Sequence, residues 1–324
     1  MNYFRNKINV YWLRITKLPW WMGSPIAIHA LRDKSQTERF ATVSKQYNNL
    51  CKQLDPKKNM SDRYAEKDGP HPWKRHTETI KNAFSNNLPM NFLRNPLIGR
   101  QMVAQAPPGI IREKISFIES VWSGERLSAI LREDYVGLPR IANFKYCTSG
   151  NRLHHACHLA SYKSAIGKEF WSSQNIVEWG GGYGNMAHLV RRLNPECTYT
   201  VIDLPELSAL QYIYLYALIG DDVCLITPGF SDVNKGKVNI VPVGRVLSGE
   251  INISADAFLS TWAITESPQQ AQEFVCRNLF FGAESILLAY HDDSHNYIKG
   301  HLPKLGFITN SVPFLPPKHF YSFL

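Results

Sequence analysis

The sequence predicts an α/β fold, in which a mostly parallel sheet with an antiparallel C-terminal strand follows a mainly helical N-terminal region. From residue 173 onward, short β-favouring runs alternate with amphipathic runs, which is the pattern of parallel strands flanked by helices. A glycine-rich turn, GGGYG, separates the first strand of this part from the first helix. Residues 1–145 lack that alternation. We therefore predict an N-terminal region over 1–145 and a sheet domain over 146–324.

The composition is that of a folded protein kept in a reducing compartment. The chain has 324 residues, of which 44% are hydrophobic, enough for a buried core. Its six cysteines form no CxxC pair, so we expect free thiols. The N-terminal stretch has no uninterrupted apolar core and no run of the roughly 20 apolar residues that span a membrane. These features predict a cytoplasmic location.

Charge is distributed unevenly along the chain. The first 170 residues carry 27 basic and 13 acidic side chains, and the remainder carries 9 basic and 14 acidic ones. A basic half of this kind suits nucleic acid, a membrane surface or an anionic substrate such as a phosphorylated or nucleotide-linked sugar, or else it is a solvated surface without a partner. The first 30 residues form an aromatic, basic arm, for which packing or a dimer contact is favoured over a membrane surface because no clean helical stripe separates its faces.

In the N-terminal region, helix formers between proline and glycine breakers predict a series of helices. The predicted helices cover residues 30–54, 76–86, 110–121 and 125–134, and the polar segment 56–75 is predicted to be a loop. A further helix over residues 151–166, NRLHHACHLASYKSAI, has apolar residues at near-helical spacing and Gly167 as its stop signal. Its His154, His155 and Arg152 are weak binding candidates, because that helix precedes the glycine-rich strand.

The second half predicts the sheet strand by strand. The strands are expected at 175–179, 199–203, 257–261 and 285–290, with a third core strand at 223–227 or 238–243. Helices are expected after the glycine turn, from Pro205 to Gly220, from Ser267 as N-cap to about Phe280, and over 296–305. Residues 307–312 and 319–323 are predicted to form a terminal antiparallel hairpin.

The glycine turn favours S-adenosyl-L-methionine over a dinucleotide. Gly180, Gly182 and Gly184 follow a G-x-G-x-G pattern, and Glu178 lies two residues before the first of them. A carboxylate there suits an ammonium group better than a pyrophosphate. Asp203 ends the second strand, where a carboxylate suits a ribose. Spacing alone does not distinguish S-adenosyl-L-methionine from a dinucleotide. The predicted sheet has no second mononucleotide half, and this favours S-adenosyl-L-methionine.

The same residues carry a family resemblance. The segment VEWGGGYGNMA resembles motif one of class I S-adenosylmethionine-dependent methyltransferases, which have a Rossmann-like sheet. With IDLPELSALQYIYL and FLSTWAITESP, residues 145–324 resemble the bacterial sugar O-methyltransferase family, and DLPE is also similar to phenol-type enzymes. The resemblance implies a methyltransferase in which the following residues hold the cofactor: Glu178, Gly180, Gly181, Gly182, Tyr183, Gly184, Asp203, Leu204 and Thr261.

The acceptor is expected beside the loops that follow the fourth and fifth strands, because ligands lie at the carboxyl ends of parallel strands. Methyl transfer to a hydroxyl requires a base, for which His291, Asp292 and Glu266 are the candidates. Asp292, Asp293 and Glu266 are alternatively candidates for a Mg²⁺ site, or Asp292 and Asp293 cap a helix without a catalytic role. Trp262 and Tyr183 offer an aromatic face or pack in the core.

The predicted function is O-methylation of a sugar or of a glycosylated or nucleotide-linked metabolite, with a homodimer compatible with the sequence. Two alternatives remain. One is methylation of a phenolic or other small acceptor. The other is a non-catalytic nucleic-acid- or surface-binding protein on the same fold, which the basic half supports and the Glu178, glycine and Asp203 pattern opposes.

Overall fold

The computed structural model describes residues 27–54, 72–122, 124–292 and 297–324. The aromatic arm, most of the predicted loop over 56–75, and Asp293 lie outside these ranges. Our expectations for them therefore stay predictions.

The N-terminal region is mainly helical, as predicted. Its elements are α1 (Lys34–Val43), α2 (Tyr47–Leu54), α3 (Pro72–Ala83), α4 (Pro96–Met102), α5 (Pro108–Val121), α6 (Glu125–Leu131) and a short antiparallel pair, β1 (Ile141–Asn143) and β2 (Thr148–Ser149). The single helix predicted over 30–54 is two helices, because the 3-10 turn Ser44–Gln46 interrupts it. The helix predicted over 76–86 begins earlier, at Pro72, because proline fits the first turn of a helix.

Helix α7 (Gly150–Ile166) leads from this region to the sheet; it ends where predicted and begins one residue before the predicted start. The Ser149 side chain accepts a hydrogen bond from the backbone N–H of Arg152, which satisfies a donor at the helix start. Gly167 ends the helix with a left-handed backbone, φ +79°. The glycine stop signal therefore gave the C-terminal boundary correctly, whereas the Ser149 cap was not predicted.

The second half contains the predicted alternation of strands and helices. The elements are β3 (Asn175–Trp179), α8 (Asn185–Leu193), β4 (Thr198–Asp203), α9 (Pro205–Ile219), β5 (Val223–Leu225), β6 (Val238–Pro242), α10 (Val243–Leu247), β7 (Ala257–Thr261), α11 (Ala263–Glu266), α12 (Gln269–Arg277), β8 (Ser285–His291), β9 (Ile308–Ser311) and β10 (His319–Phe323).

Within the described ranges, the central sheet has eight strands in the order β5-β6-β4-β3-β7-β8-β10-β9. Strand β10 runs antiparallel to β8 and β9, and the other pairs are parallel. Both short candidates for the third strand enter the sheet, with β6 beside β4 and β5 at the edge. The mainly parallel sheet with antiparallel C-terminal strands fits the class I methyltransferase fold, which confirms the predicted fold class.

Two local predictions were wrong. Ser267 is not the N-cap of α12; Pro268 holds that position, and the Ser267 hydroxyl instead donates to the Ala263 carbonyl and accepts from the Trp179 indole N–H. The helix ends at Arg277, three residues before the predicted end. The helix predicted over 296–305 is two 3-10 turns, Ile298–Gly300 and Leu302–Leu305.

The N-terminal helices and the sheet domain share one hydrophobic core. Phe40 of α1 and Ile80 of α3 belong to the same buried cluster as Leu210 of α9. The Arg39 side chain also donates to the backbone carbonyls of Ala217 and Leu218, at the C-terminal end of α9, which places a positive charge where the helix dipole favours one. The predicted boundary at residue 145 therefore crosses a continuous core.

A buried ion-pair network joins the segment after α6 to α7. The fully buried Arg152 guanidinium lies 3.2 Å from Glu133 and 3.4 Å from Asp134. Arg192 of α8 donates to the same Asp134 carboxylate at 2.7 Å, and these positive neighbours hold the Asp134 pKa low, at about 2. Buried charges are tolerated when they are paired in this way, so this network fixes the N-terminal region against the sheet domain.

Candidate functional site

A cavity of about 1250 Å³ opens at the carboxyl ends of β3, β4 and β7. Its wall includes Glu178 and Trp179 from β3, Asp203 from β4 and Thr261 from β7. The ends of parallel strands meet at one edge of a sheet, which is where α/β folds bind ligands. On the opposite side the wall comes from the N-terminal region, through helices α3 and α4. Both halves of the chain therefore build the cavity.

The glycine turn forms part of the cavity wall with its backbone. Gly180 has φ +78°, and its N–H donates to the carbonyl of Ile202 at 2.9 Å, which ties the turn to the neighbouring strand. A Cβ on Gly180 would lie 2.0 Å from the Cβ of Ala263, so no larger residue fits without displacement. A Cβ on Gly182, whose φ is +58°, would lie 3.9 Å from the Met102 side chain. The turn thus presents backbone to a ligand at close range.

Glu178 is a buried carboxyl in the cavity wall, with 1% of its surface exposed. The Tyr199 hydroxyl donates to its Oε2 at 2.9 Å. Burial, together with the nearby Asp203 carboxyl, raises the pKa of Glu178 to about 8. No salt bridge pairs it with a cation in the described parts of the chain. A bound cation would favour its ionised form and occupy the place of that missing partner.

Asp203 lies at the end of β4, and both of its carboxyl oxygens are oriented by the protein. The backbone N–H of Leu204 donates to Oδ1 at 2.8 Å, and the side chain of Gln211 donates to Oδ2 at 2.6 Å. Burial raises the Asp203 pKa to about 7. A carboxylate has about four lone-pair positions, so this one retains acceptor capacity toward the cavity. Leu204 lines the cavity beside it.

Gln211 is a functional residue that the sequence analysis missed. Its Nε2 also lies 3.0 Å from the carbonyl of Gly182, so one amide ties the glycine turn to Asp203. Its Oε1 is buried without a hydrogen-bond partner in the structure. The signal that points to it is its place on α9, six residues after Pro205, where an amide side chain lies in a mostly apolar stretch of the helix.

The remaining predicted cofactor residues have two kinds of environment. Gly181 lines the cavity, as does Thr261 at the end of β7. The Tyr183 ring packs edge-on against Phe92 and Tyr214, and its hydroxyl accepts from the Asn151 side chain at 3.0 Å. Gly184 precedes α8 at its N-cap position. Tyr183 also lines the cavity, but its ring is packed against Phe92 and Tyr214 beneath the turn.

At the acceptor edge, Glu266 and Trp262 line the cavity after β7. The indole N–H of Trp73, on α3, donates to the Glu266 carboxylate at 3.0 Å. Trp262 has a strained left-handed backbone, φ +67°, and its ring stacks on His154 with centroids 5.4 Å apart. Strained non-glycine residues are concentrated at functional sites, which makes Trp262 a notable member of this wall.

His291 lines the cavity from the last position of β8, and His319 of β10 lies directly opposite it. The two imidazole centroids are 4.2 Å apart. The sequence analysis named His291 as a candidate base and missed His319, because only the antiparallel register of β8 and β10 brings the second histidine to the site.

Asp292 is not brought to the cavity. It is absent from the cavity wall in the described structure, and its carboxylate pairs with Lys299. Asp293 lies outside the described residues. Among the residues that are described, no group of three histidine, cysteine or acidic side chains is arranged to hold a metal ion. The described residues therefore offer no set of ligands for Mg²⁺. Of the three candidate bases, His291 and Glu266 line the cavity and Asp292 does not.

The N-terminal region contributes side chains that the sequence analysis did not associate with the site. Trp73 and Thr77 of α3 and Gln101 and Met102 of α4 line the cavity. The spacing of Trp73, Thr77 and Lys81 puts them on one helical face, but Trp73 lay in the predicted loop over 56–75, and Thr77 and Lys81 lay in the predicted helix over 76–86 without a role at the site. Their position covers the cavity on the side away from the sheet.

Comparisons with known proteins found similarity in structure alone. No protein-family model and no curated protein matches the chain. One similar structure is a mitomycin 7-O-methyltransferase (13% identity, TM-score 0.37), where the match covers 56% of this chain and about half, 55%, of that one.

Two others are a magnesium protoporphyrin IX methyltransferase from Synechocystis PCC 6803 with bound S-adenosylmethionine (8% identity, 76% and 95% covered, TM-score 0.40) and an O-methyltransferase family protein from Burkholderia thailandensis (15% identity, 71% and 75% covered, TM-score 0.33). At such TM-scores these similarities add nothing to an assignment of activity.

In the described ranges, no helix is both long and apolar enough to cross a membrane.

Proposed function

We propose that this protein is an S-adenosylmethionine-dependent O-methyltransferase. One observation carries the proposal: two buried carboxyls, Glu178 and Asp203, flank the backbone of a glycine turn in one cavity, and neither forms a salt bridge among the described residues. S-Adenosylmethionine combines an ammonium group, which suits Glu178, with a ribose diol, which suits Asp203.

The residues present fit that cofactor. A Cβ on Gly180 or Gly181 would meet Ala263 at 2.0 Å or Val201 at 2.5 Å, so glycine keeps the turn in the shape that would place its backbone beside the amino-acid tail. Leu204 would contact the adenine edge, and Thr261 would lie near the methionine part. The unpartnered Oε1 of Gln211 gives the turn a further buried acceptor. When bound, S-adenosylmethionine supplies a methyl group on a positively charged sulfur, which leaves as a neutral thioether.

His291 is the proposed general base. An acceptor hydroxyl attacks the methyl carbon as the carbon–sulfur bond breaks, and the hydroxyl proton passes to an imidazole nitrogen. His291 lies at the carboxyl end of β8 in the cavity wall, and no hydrogen bond engages its ring within the described residues. Glu266 is the second candidate, but its carboxylate already accepts from Trp73, so we assign it to acceptor positioning.

The proposed acceptor is a hydroxyl of a sugar or of a glycosylated or nucleotide-linked metabolite. The acceptor side of the wall combines aromatic faces from Trp73 and Trp262 with polar groups from Thr77, Gln101 and Arg100. Sugars present apolar ring faces and many hydroxyls, which suits such a mixture, and Arg100 suits an anionic portion. A phenolic acceptor is the alternative, since aromatic walls bind it equally well. The location is proposed to be cytoplasmic, and the role of residues 1–145 is proposed to be a cover over the acceptor.

Calorimetry with S-adenosylmethionine and S-adenosylhomocysteine tests the first step. We expect binding to the wild type, and a loss of roughly 10- to 100-fold in Asp203→Asn, since a hydrogen bond to a charged group contributes about 1.5–3 kcal/mol. Asp256→Asn is the control, because Asp256 caps the far end of β3 and bonds Asn175. No heat from either ligand would exclude the enzyme.

The acceptor class is tested with methyl-labelled S-adenosylmethionine and three acceptor pools: nucleotide sugars, phenols and RNA. Label in the sugar pool is expected. Label in phenols would replace the acceptor class and keep the cofactor, whereas label in RNA would exclude a small-molecule acceptor.

A further inference from the structure

His291 and His319 form a pair that the sheet itself creates. They are register partners at the ends of two antiparallel strands, β8 and β10, so their side chains emerge on the same face. Their ring centroids lie 4.2 Å apart, and both rings line the cavity. Two imidazoles at this distance do not become charged independently, because the first proton disfavours the second.

Trp262 contacts one member of the pair and so makes the two histidines unequal. Its Nε1–H donates to Nδ1 of His319 at 3.3 Å. An indole nitrogen is only a donor, so Nδ1 must keep its lone pair, and neutral His319 carries its proton on Nε2. Protonation of Nδ1 would break this bond and set two N–H groups against each other. No comparable donor engages the ring of His291 within the described residues.

The indole is itself held in place. The backbone N–H of Trp262 donates to the carbonyl of Ala289 at 2.6 Å, and the indole ring is stacked on His154. The buried Lys114 ammonium, whose Nζ lies 3.1 Å from Nδ1 of His154, fixes that ring in turn. Trp262 therefore points its N–H at His319 from a supported position.

The charged groups around His319 also disfavour its protonation. His291 faces it from β8, and His154, with Lys114 behind it, faces it across Trp262. On the remaining side, Lys318 precedes it in the chain and Asp292 is engaged by Lys299. No carboxylate pairs with His319 among the described residues. Burial and the His291 charge lower the pKa of His319.

We propose that His319 is a positioning residue, held neutral by Trp262, which leaves His291 as the imidazole that takes the proton of the acceptor hydroxyl. The inference rests on the proposed function for its catalytic meaning. The order of protonation within the pair does not depend on it, because that order follows from the geometry of the ligand-free site.

The test is an NMR pH titration of the histidine side chains in the full ligand-free chain, with His291→Gln and His319→Gln used for assignment. If His291 is protonated first, its charge is what lowers the pKa of His319. His291→Gln should then raise the pKa of His319 by roughly one pH unit, while His319→Gln leaves the His291 titration unchanged. The reverse pattern, or no coupling in either variant, would overturn the proposal.

A third variant separates the indole from the histidines. Trp262→Phe keeps an aromatic ring against His154 and removes the N–H donor, so the pKa of His319 should rise. His301→Gln is the matched control, because His301 bonds the Tyr297 carbonyl and does not line the cavity. An unchanged His319 titration in Trp262→Phe would contradict the role given to the indole. Since these readouts need no ligand, they remain interpretable even where calorimetry shows no cofactor binding.

Discussion

Trp73 donates its indole N–H to the carboxylate of Glu266, and this 3.0 Å bond joins helix α3 to the segment after β7 across the cavity. The two residues are 193 positions apart in the chain. Trp73 comes from the N-terminal region and Glu266 from the sheet domain, so the contact holds the helical wall of the cavity against the wall formed by the sheet domain. It also keeps the Glu266 carboxylate oriented on the acceptor side.

Trp73→Phe should therefore weaken acceptor binding and spare the cofactor. The change keeps an aromatic ring and removes the donor, so we expect the acceptor KM to rise several-fold, up to roughly 10-fold, with an unchanged S-adenosylmethionine Kd. Steady-state kinetics and calorimetry measure the two quantities. Trp122→Phe is the control, since the Trp122 indole N–H has no hydrogen-bond partner among the described residues. An equal loss of cofactor affinity would show that the bond supports the whole cavity.

Glu178→Gln should have opposite effects on binding and on ligand-free stability. The amide keeps an acceptor for Tyr199 but lacks the charge that attracts an ammonium, so we expect S-adenosylmethionine binding to fall roughly 10- to 100-fold. The ligand-free variant should be more stable than the wild type at pH 8, because a buried carboxylate without a cation is destabilising.

The pH dependence of this effect follows from the raised pKa. Folding raises the Glu178 pKa from 4.5 to about 8, so its contribution to stability is fully present below pH 4.5 and is lost as the pH rises through 8. In urea unfolding at pH 8, the free energy of unfolding of Glu178→Gln should exceed that of the wild type by up to a few kcal/mol. This difference should shrink toward pH 5. A gap that is constant with pH would argue against a buried titrating carboxyl.

Cofactor binding should consequently release a proton near neutral pH. A bound ammonium lowers the pKa of Glu178, so affinity should increase as the pH rises from about 6 to 8. Calorimetry in two buffers with different ionisation enthalpies measures the proton. Glu178→Gln should reduce the release. Because burial raises the Asp203 pKa to about 7, that carboxyl accounts for any release that remains.

Gly180→Ala should abolish cofactor binding. The new Cβ meets Ala263 at 2.0 Å, and the φ of +78° is unfavourable for alanine by about 1–2 kcal/mol. Gly167→Ala is a matched control, with φ +79° and nothing within 4 Å, so it has the backbone strain without the clash. Thermal unfolding should show a larger destabilisation for Gly180→Ala, where the clash adds to the backbone strain, and calorimetry should show loss of binding only in that variant.

Arg152→Ala should destabilise the fold strongly. Removing this guanidinium leaves Glu133 and Asp134 with less compensation in a buried place, for which we expect a loss of about 3–5 kcal/mol in urea unfolding. Arg277→Ala removes an exposed pair with Glu273 and should cost less than about 0.5 kcal/mol. A small effect at Arg152 would mean that Arg192 alone is sufficient to balance the acidic pair.

Sequence reasoning predicted the sheet domain well because its signals are local. The strands at Asn175–Trp179 and Ala257–Thr261 have the predicted bounds, and Gly167 ends its helix as expected. Ser267 shows the limit of such reasoning: its hydroxyl is engaged by Ala263 and Trp179, which only the folded chain places beside it. Tertiary contacts outweighed a capping preference at that position.

The acceptor edge was harder to predict, because its residues come from distant parts of the chain. His319 reaches His291 through strand register, and Trp73 reaches Glu266 across 193 positions. Neither pairing leaves a local pattern in the sequence. Asp292 looked suitable from its acidic neighbourhood, yet Lys299 seven positions later engages it away from the cavity.

The contact between Arg39 and the end of α9 has a consequence for how the chain is made. Arg39 and Ala217 are 178 positions apart in the chain. At a synthesis rate of 5–20 residues per second, the apolar faces of α1 and α2 therefore stay exposed for roughly 10–35 s before α9 is synthesised. Over that interval, these helices are substrates for holding chaperones. Expression at low temperature or with such chaperones should therefore raise the soluble yield.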